Sequence, residues 1–162
     1  MEGSVADTEA QEFLALMQAV GALHRSLLTI GDAVAATAGQ SRARSTCLQQ
    51  LAGGPLTVAD IAERLGLARQ GVQRVADLLV SDGLAVYADN PRHRRAKLLT
   101  LTGAGERALA AMDAAHRRWV AATAPHLAPL QLPELTDQLA AVHRALDSAP
   151  RPDEGGEGRY EA

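Results

Sequence analysis

The sequence predicts a mainly α fold, and three observations carry that prediction. Of 162 residues, 33 are Ala, the strongest helix former, and only 2% are aromatic. The stretches toward both ends repeat apolar residues at spacings of three and four, the signature of a helix face. The middle is cut by glycines and prolines into short segments, two of which read as strands around a polar tip. At this length one domain is the default, and a full α/β barrel or a pair of nucleotide-binding lobes does not fit.

Uninterrupted apolar runs fall far short of the ~20 residues of a membrane helix, and no basic patch leads into an apolar run at the N-terminus. No membrane or secretory role is expected. The lone cysteine, Cys47, cannot close an internal disulfide, which fits a reducing cytoplasm.

The elements follow in order. Residues 1–8 are polar and read as frayed. From about Glu9 to Ala38, Phe13, Leu16, Val20, Leu23, Leu27, Ile30 and Val34 form a heptad seam, which argues for a long helix packed lengthwise on another helix. That partner helix is equally well in the same chain or in a second copy. Gly39 ends this helix, a second runs from about Ser41 to Ala52, and Gly53-Gly54-Pro55 breaks the chain. Thr57 is placed to cap a helix from Val58 to Leu65, with Asp60 three residues on as the capping-box partner. Gly66 closes that helix, and another runs from Ala68 to about Ser81, ended by Asp82-Gly83. Leu84–Ala88 and Ala96–Leu101 read as two strands. Thr102 caps a long helix to about Thr123, then Pro125, Pro129 and Pro133 punctuate, and a last helix spans about Glu134 to Leu146. The Pro, Gly and Glu of the tail point to disorder.

A net charge of −3 hides a polar division. Between Ser41 and Arg107 ten basic residues face six acids, a local excess of four positive charges, so the rest of the chain carries −7. A basic middle between acidic flanks attracts a polyanion locally.

Within that middle, Ala62, Gly66 and Val72 stand at the spacing of a helix-turn-helix, with Ile61, Leu65, Val75 and Leu79 as apolar support. The second helix of the pair buries Val72, Val75, Ala76 and Leu79 and shows Arg69, Gln70, Gln73, Arg74 and Asp77. Arg and Gln suit bidentate contacts with guanine and adenine edges, though they are also ordinary surface residues. The tip that follows gathers Arg92, Arg94, Arg95 and Lys97, whose mutual repulsion is wasteful without an anionic partner. A helix-turn-helix followed by a basic two-stranded β hairpin is a winged helix.

From about Ser41 to Glu106 the chain resembles the MarR (multiple antibiotic resistance regulator) family of bacterial transcription factors. The residues that carry the resemblance are Gly54-Pro55-Leu56-Thr57, Ile61 through Leu67, Gly83-Leu84, Asn90 through Ala96, and Leu101-Thr102 with Gly105. The order of elements extends it to residues 9–147. The resemblance implies a winged helix-turn-helix flanked by long N- and C-terminal dimerisation helices. In numbers, 9–40 is the N-terminal dimerisation helix, 41–102 the DNA-binding region, 103–147 the C-terminal dimerisation helices and 148–162 a disordered tail, all in one domain. It further implies a cytoplasmic homodimer on a pseudo-palindromic DNA operator, usually a repressor, often released by a small phenolic or similar effector. Expected DNA contacts are Thr57, Arg69, Gln70, Gln73, Arg74, Arg92, Arg94, Arg95 and Lys97, with Arg95 at the arginine that relatives insert into the minor groove. Expected dimer contacts are Phe13, Leu16, Val20, Leu23 and Leu27 of the first helix, and Leu109, Met112, His116, Trp119 and Val120 of the fifth.

Three residues depart from the family pattern. His93 replaces the aspartate of the wing's Asp-x-Arg, Ala68 replaces a capping serine, and Gly71 sits inside the recognition helix. Cys47 falls on the core face of its helix beside Leu48 and Leu51, the place of a buried, inert thiol. The five histidines form no tight cluster, although His116 and His143 invite comparison with zinc-sensing relatives. No nucleophile–base pair or phosphate-cradling loop stands out, so no enzymatic activity, cofactor or metal is expected. Two alternatives to a ligand-responsive repressor remain: a winged-helix adaptor that has lost DNA binding, and a constitutive regulator without an effector.

Overall fold

A computed structural model describes residues 2–93 and 95–149. It comprises α1 (Glu2–Ala36), α2 (Arg42–Gln50) with a 3-10 turn at Leu51–Gly53, β1 (Leu56–Thr57), α3 (Val58–Leu65), α4 (Arg69–Ser81), β2 (Ala85–Ala88), β3 (Leu98–Leu101), α5 (Gly103–Leu127) and α6 (Leu132–Ser148). The chain divides into two compact units, Met1–Arg117 and Arg118–Ala162.

The core lies in the first unit. Leu48, Leu51, Ile61, Val72, Ala76, Leu79, Leu99 and Met112 pack there with Ala35 and Cys47. Ion pairs brace its rim: Arg42 of α2 grips Asp32 of α1, with Nε donating to Oδ1 at 2.8 Å, and Arg44 pairs with Asp82 at the end of α4. The sheet has three strands in the order β1-β3-β2, all antiparallel, with Leu56 opposite Leu99 and Tyr87 opposite Leu99 on the other side. The expected two-stranded hairpin is therefore joined by a third, two-residue strand, too short to show any periodicity in the sequence.

The seam on α1 divides. At its C-terminal end Val34 packs on the chain's own core and Ile30 is half-buried. Leu16 is half-buried, while Phe13, Val20, Leu23 and Leu27 are 41–51% exposed. In the second unit, α6 buries no residue, and Leu127, Leu132, Leu135, Leu139 and Leu146 are exposed.

Several expectations are corrected. The first helix begins at Glu2, not Glu9. Helix formers such as Ala6, Glu9, Ala10, Gln11 and Glu12 favour the helix there despite the polarity of the stretch, so polar residues need not fray. Pro125 does not end α5, which runs on to Leu127. Proline forfeits one bond to the carbonyl four residues back, and the helix stops two residues later. Pro133 sits in the first turn of α6, where proline is at home. Met112 is buried in the core and so is not free to face a partner, while Leu109 is half-buried against the same core. Val75 is half-buried only. Within the segment Asp7–Ala36 an 18-residue window reaches a mean hydropathy of 1.4, so by length and composition alone this helix is apolar enough to cross a membrane. Counting unbroken runs hid this, because scattered polar residues are diluted by alanine. The tail expected to be disordered lies, from Pro150 on, outside the described residues.

Candidate nucleic-acid interface

The site begins with the cap of α3. Thr57 Oγ1 accepts from the Asp60 backbone N–H at 3.1 Å, and Asp60 Oδ2 accepts from the Thr57 N–H at 3.0 Å and from its hydroxyl at 2.8 Å. These bonds, the hydroxyl's first, hold the Asp60 carboxyl below its ordinary range. Gly66 ends the helix at φ 63°, in the left-handed region that glycine enters without strain, and the Leu67 N–H returns to the Ala62 carbonyl at 3.0 Å. Buried Ala62 lets α4 approach, and Val72 fills the angle at 3% exposure.

Ala68 stands at the N-cap of α4 and offers no side-chain bond. The cost is of order 1 kcal/mol relative to serine. Beyond it, Arg69, Gln70 and Arg74 project into solvent and Gln73 is half-buried. The wing tip spans 89–97, where the Arg92 N–H donates to Asn90 Oδ1 at 3.0 Å and the Ala96 N–H to the His93 carbonyl at 3.0 Å.

The fold gathers much of the expected DNA-contacting set. Thr57, Arg69, Gln73, Arg95 and Lys97 line one open depression of about 320 Å³, with Tyr87 in its wall. Gln70 and Arg74 lie outside it on the exposed face of α4. Arg92 belongs to the other flank of the wing, a broader cleft of about 990 Å³ shared with Asp60, Arg64 and His93. Arg94 is outside the described residues. His93, which replaces the family's wing carboxylate, thus stands near the Asp60 carboxylate, whose pKa its charge also lowers.

Tyr87 was missed in the sequence. Its hydroxyl donates to Asp77 Oδ1 at 2.8 Å and accepts from Gln73 Nε2 at 2.7 Å. Burial first, and then the bond to Asp77, push its pKa up to about 12. The signal was present: alternation along β2 puts Tyr87 on the same side as buried Ala85, and Gln73 and Asp77 share a helix face.

Cys47 is 2% exposed, and burial pushes its thiol up to about 11. It borders a mostly apolar hollow of about 390 Å³, walled by Leu65, Val72 and Val75 beneath Gly71. Among the described residues no three His, Cys, Asp or Glu side chains gather as a metal site would require.

Comparison with known proteins agrees with this geometry. The MarR family's sequence profile matches residues 38–96. Uncharacterised proteins of Mycobacterium bovis and Mycobacterium tuberculosis are each 45% identical over 97 residues, a stretch spanning 60% of this chain and 65% of theirs. Among solved structures, a MarR family transcription regulator superposes with a TM-score of 0.78 at 20% identity, covering 93% of this chain and 97% of its own. Staphylococcus aureus MarR, in complex with salicylate and kanamycin, gives 0.71 at 18% identity over 86% of this chain and 94% of its own. The helix-turn-helix at 58–81 and most of the basic wing after it lie within the stretch that matches the MarR family's profile, and the chain has a MarR-like winged helix-turn-helix fold.

Proposed function

We propose that the protein is a cytoplasmic transcription regulator that binds a pseudo-palindromic DNA operator as a homodimer. It represses until a small phenolic or similar molecule releases it. The observation that carries the DNA-binding part is the convergence of Thr57, Arg69, Gln73, Arg95 and Lys97 on one depression between recognition helix and wing. α4 enters the major groove, where Arg69, Gln70, Gln73 and Arg74 meet base edges, while Arg92, Arg94, Arg95 and Lys97 of the wing meet backbone and minor groove. The dimer reading is supported by the exposed stripe of Phe13, Val20, Leu23 and Leu27, an apolar strip a monomer leaves wet. Half-buried Leu16 belongs to that stripe in this reading, and half-buried Trp119 of α5 is by itself a further dimer contact.

Regulators of this family are typically not enzymes, and the reading requires no cofactor. Salicylate in the S. aureus relative supports the chemical class of effector. Such a molecule acts by its differential affinity for two spacings of the recognition helices, without covalent chemistry. The test is binding to duplexes selected from a random library, measured over a range of salt. Saturable binding to an enriched sequence is expected, with Arg92→Ala reducing the salt slope by about one unit per lost phosphate contact. Binding indifferent to sequence and salt argues instead for an adaptor that has lost DNA recognition.

A further inference from the structure

Gln73, Asp77 and Tyr87 form a closed triangle. Gln73 Nε2 lies 2.9 Å from Asp77 Oδ1 and 2.7 Å from the Tyr87 hydroxyl, and that hydroxyl lies 2.8 Å from the same Asp77 oxygen. Hydrogen bookkeeping fixes the sense of each bond. An ionised carboxylate oxygen only accepts, so the single phenolic hydrogen goes to Asp77. What the phenol then offers Gln73 is a lone pair. Both groups facing the amide are therefore acceptors, and only its nitrogen can sit against them. Turned over, the amide would set its carbonyl oxygen against two oxygens with no hydrogen to give. The phenol keeps its proton at any working pH, since its pKa stands near 12.

We infer that Asp77 and Tyr87 are positioning residues that hold the Gln73 amide in one sense, with Oε1 turned toward the DNA, so that Gln73 selects a base carrying an exocyclic amine. The inference rests on the reading of α4 as the DNA-contacting helix. Gln73 borders the depression shared by Arg69, Arg95 and Lys97, so its free end lies where a groove edge would be met. In the major groove adenine N6 and cytosine N4 are the donors, whereas guanine O6 and N7 and thymine O4 accept. Adenine and cytosine suit this amide alike, because both hydrogens of Nε2 are spent on Asp77 and Tyr87 and only Oε1 is left to meet a base. A glutamine free to flip would read guanine as readily, by donating to O6 or N7. The wall of β2 thus sets part of the operator sequence without touching DNA.

The experiment compares wild type, Gln73→Ala, Tyr87→Phe and the double variant Asp77→Ala with Tyr87→Phe. Gln73→Ala locates the operator position that residue 73 reads, and all four base pairs are then placed there in both half-sites. Wild type is expected to prefer adenine or cytosine over guanine or thymine by about fivefold, the worth of a single net hydrogen bond. The double variant should bring the bases within about twofold of one another, with an unchanged salt slope, and Tyr87→Phe should fall between. A second readout needs no DNA: side-chain amide protons of Gln73 should exchange more slowly than those of exposed Gln70, and lose that protection in the double variant. A wild-type preference for guanine or thymine overturns the inference. So does a double variant that keeps the wild-type preference while Gln73→Ala loses it. Wild-type protein that binds no sequence selectively overturns the DNA-binding reading as well, and is told apart from these outcomes by the first titration.

Discussion

Gly105 lies against the backbone of Leu84 so closely that a Cβ at position 105 would stand 2.0 Å from the Leu84 carbonyl oxygen. The same corner is tied by Thr102, whose hydroxyl donates to the Gly83 carbonyl at 2.6 Å and accepts from the Gly105 N–H at 3.1 Å. It joins the turn after α4 to the start of α5. Gly105→Ala would gain up to about 1 kcal/mol of helix propensity. Overpacking against an immovable backbone oxygen costs about 1–3 kcal/mol and should win. Thermal melting should show a lower midpoint for Gly105→Ala; an equal or higher one means the corner yields.

Acid should loosen the first unit through identifiable groups. Asp60 is held below its ordinary value of 3.8 by Thr57, Asp82 by Arg44 and Asp32 by Arg42. A carboxyl whose folded value is depressed stabilises the fold above its unfolded value and loses that contribution as pH falls through the folded one. Asp82→Asn should therefore lower the melting point near neutral pH, and the difference from wild type should close below the ordinary carboxylate range. A difference that stays constant into acid contradicts the assignment. Thr57→Ala should cost about 1 kcal/mol near neutral pH and return Asp60 toward ordinary titration.

Cys47 should be chemically silent in the folded protein. With its thiol buried and its pKa near 11, almost no thiolate exists at neutral pH. A thiol reagent should label it only when denaturant is added, and mild peroxide should leave DNA binding unchanged in wild type and Cys47→Ser alike. Oxidative release of DNA by wild type, absent in Cys47→Ser, would mean the thiol is a sensor.

The exposed stripe on α1 makes a prediction about assembly. Leu23→Glu with Leu27→Glu places two charges on surfaces that are about half exposed in the single chain. If that stripe is a subunit interface, sedimentation should find wild type dimeric and the variant monomeric or unfolded, with DNA binding lost. A folded monomer that binds its operator undiminished would show the stripe serves something else.

The helix-turn-helix was legible because its punctuation is local. Thr57 with Asp60, Gly66, and Asp82-Gly83 each specify a cap or a turn within four residues, and the structure has each of them. What escaped depends on distant partners. β1 exists because Leu56 finds Leu99 across the chain, and two residues carry no period of their own. The role of Tyr87 depends on the register that sets β2 beside α4. Met112 reads as equally fit for a core or a subunit interface, since both want an apolar side chain on a helix face. Pro125 marks the last turn of α5 rather than its end, because its ring disturbs the turn before it and not the φ/ψ of the two residues after it.

The central claim is that two copies of α4, related by a two-fold axis, read successive major grooves. Hydroxyl-radical footprinting on a sequence selected by the wild-type protein tests it most directly. Two symmetry-related protected patches are expected, their centres about 34–36 Å apart, one helical turn, with weaker protection beyond each where the wing reaches the minor groove. A single, unsymmetrical patch would contradict it.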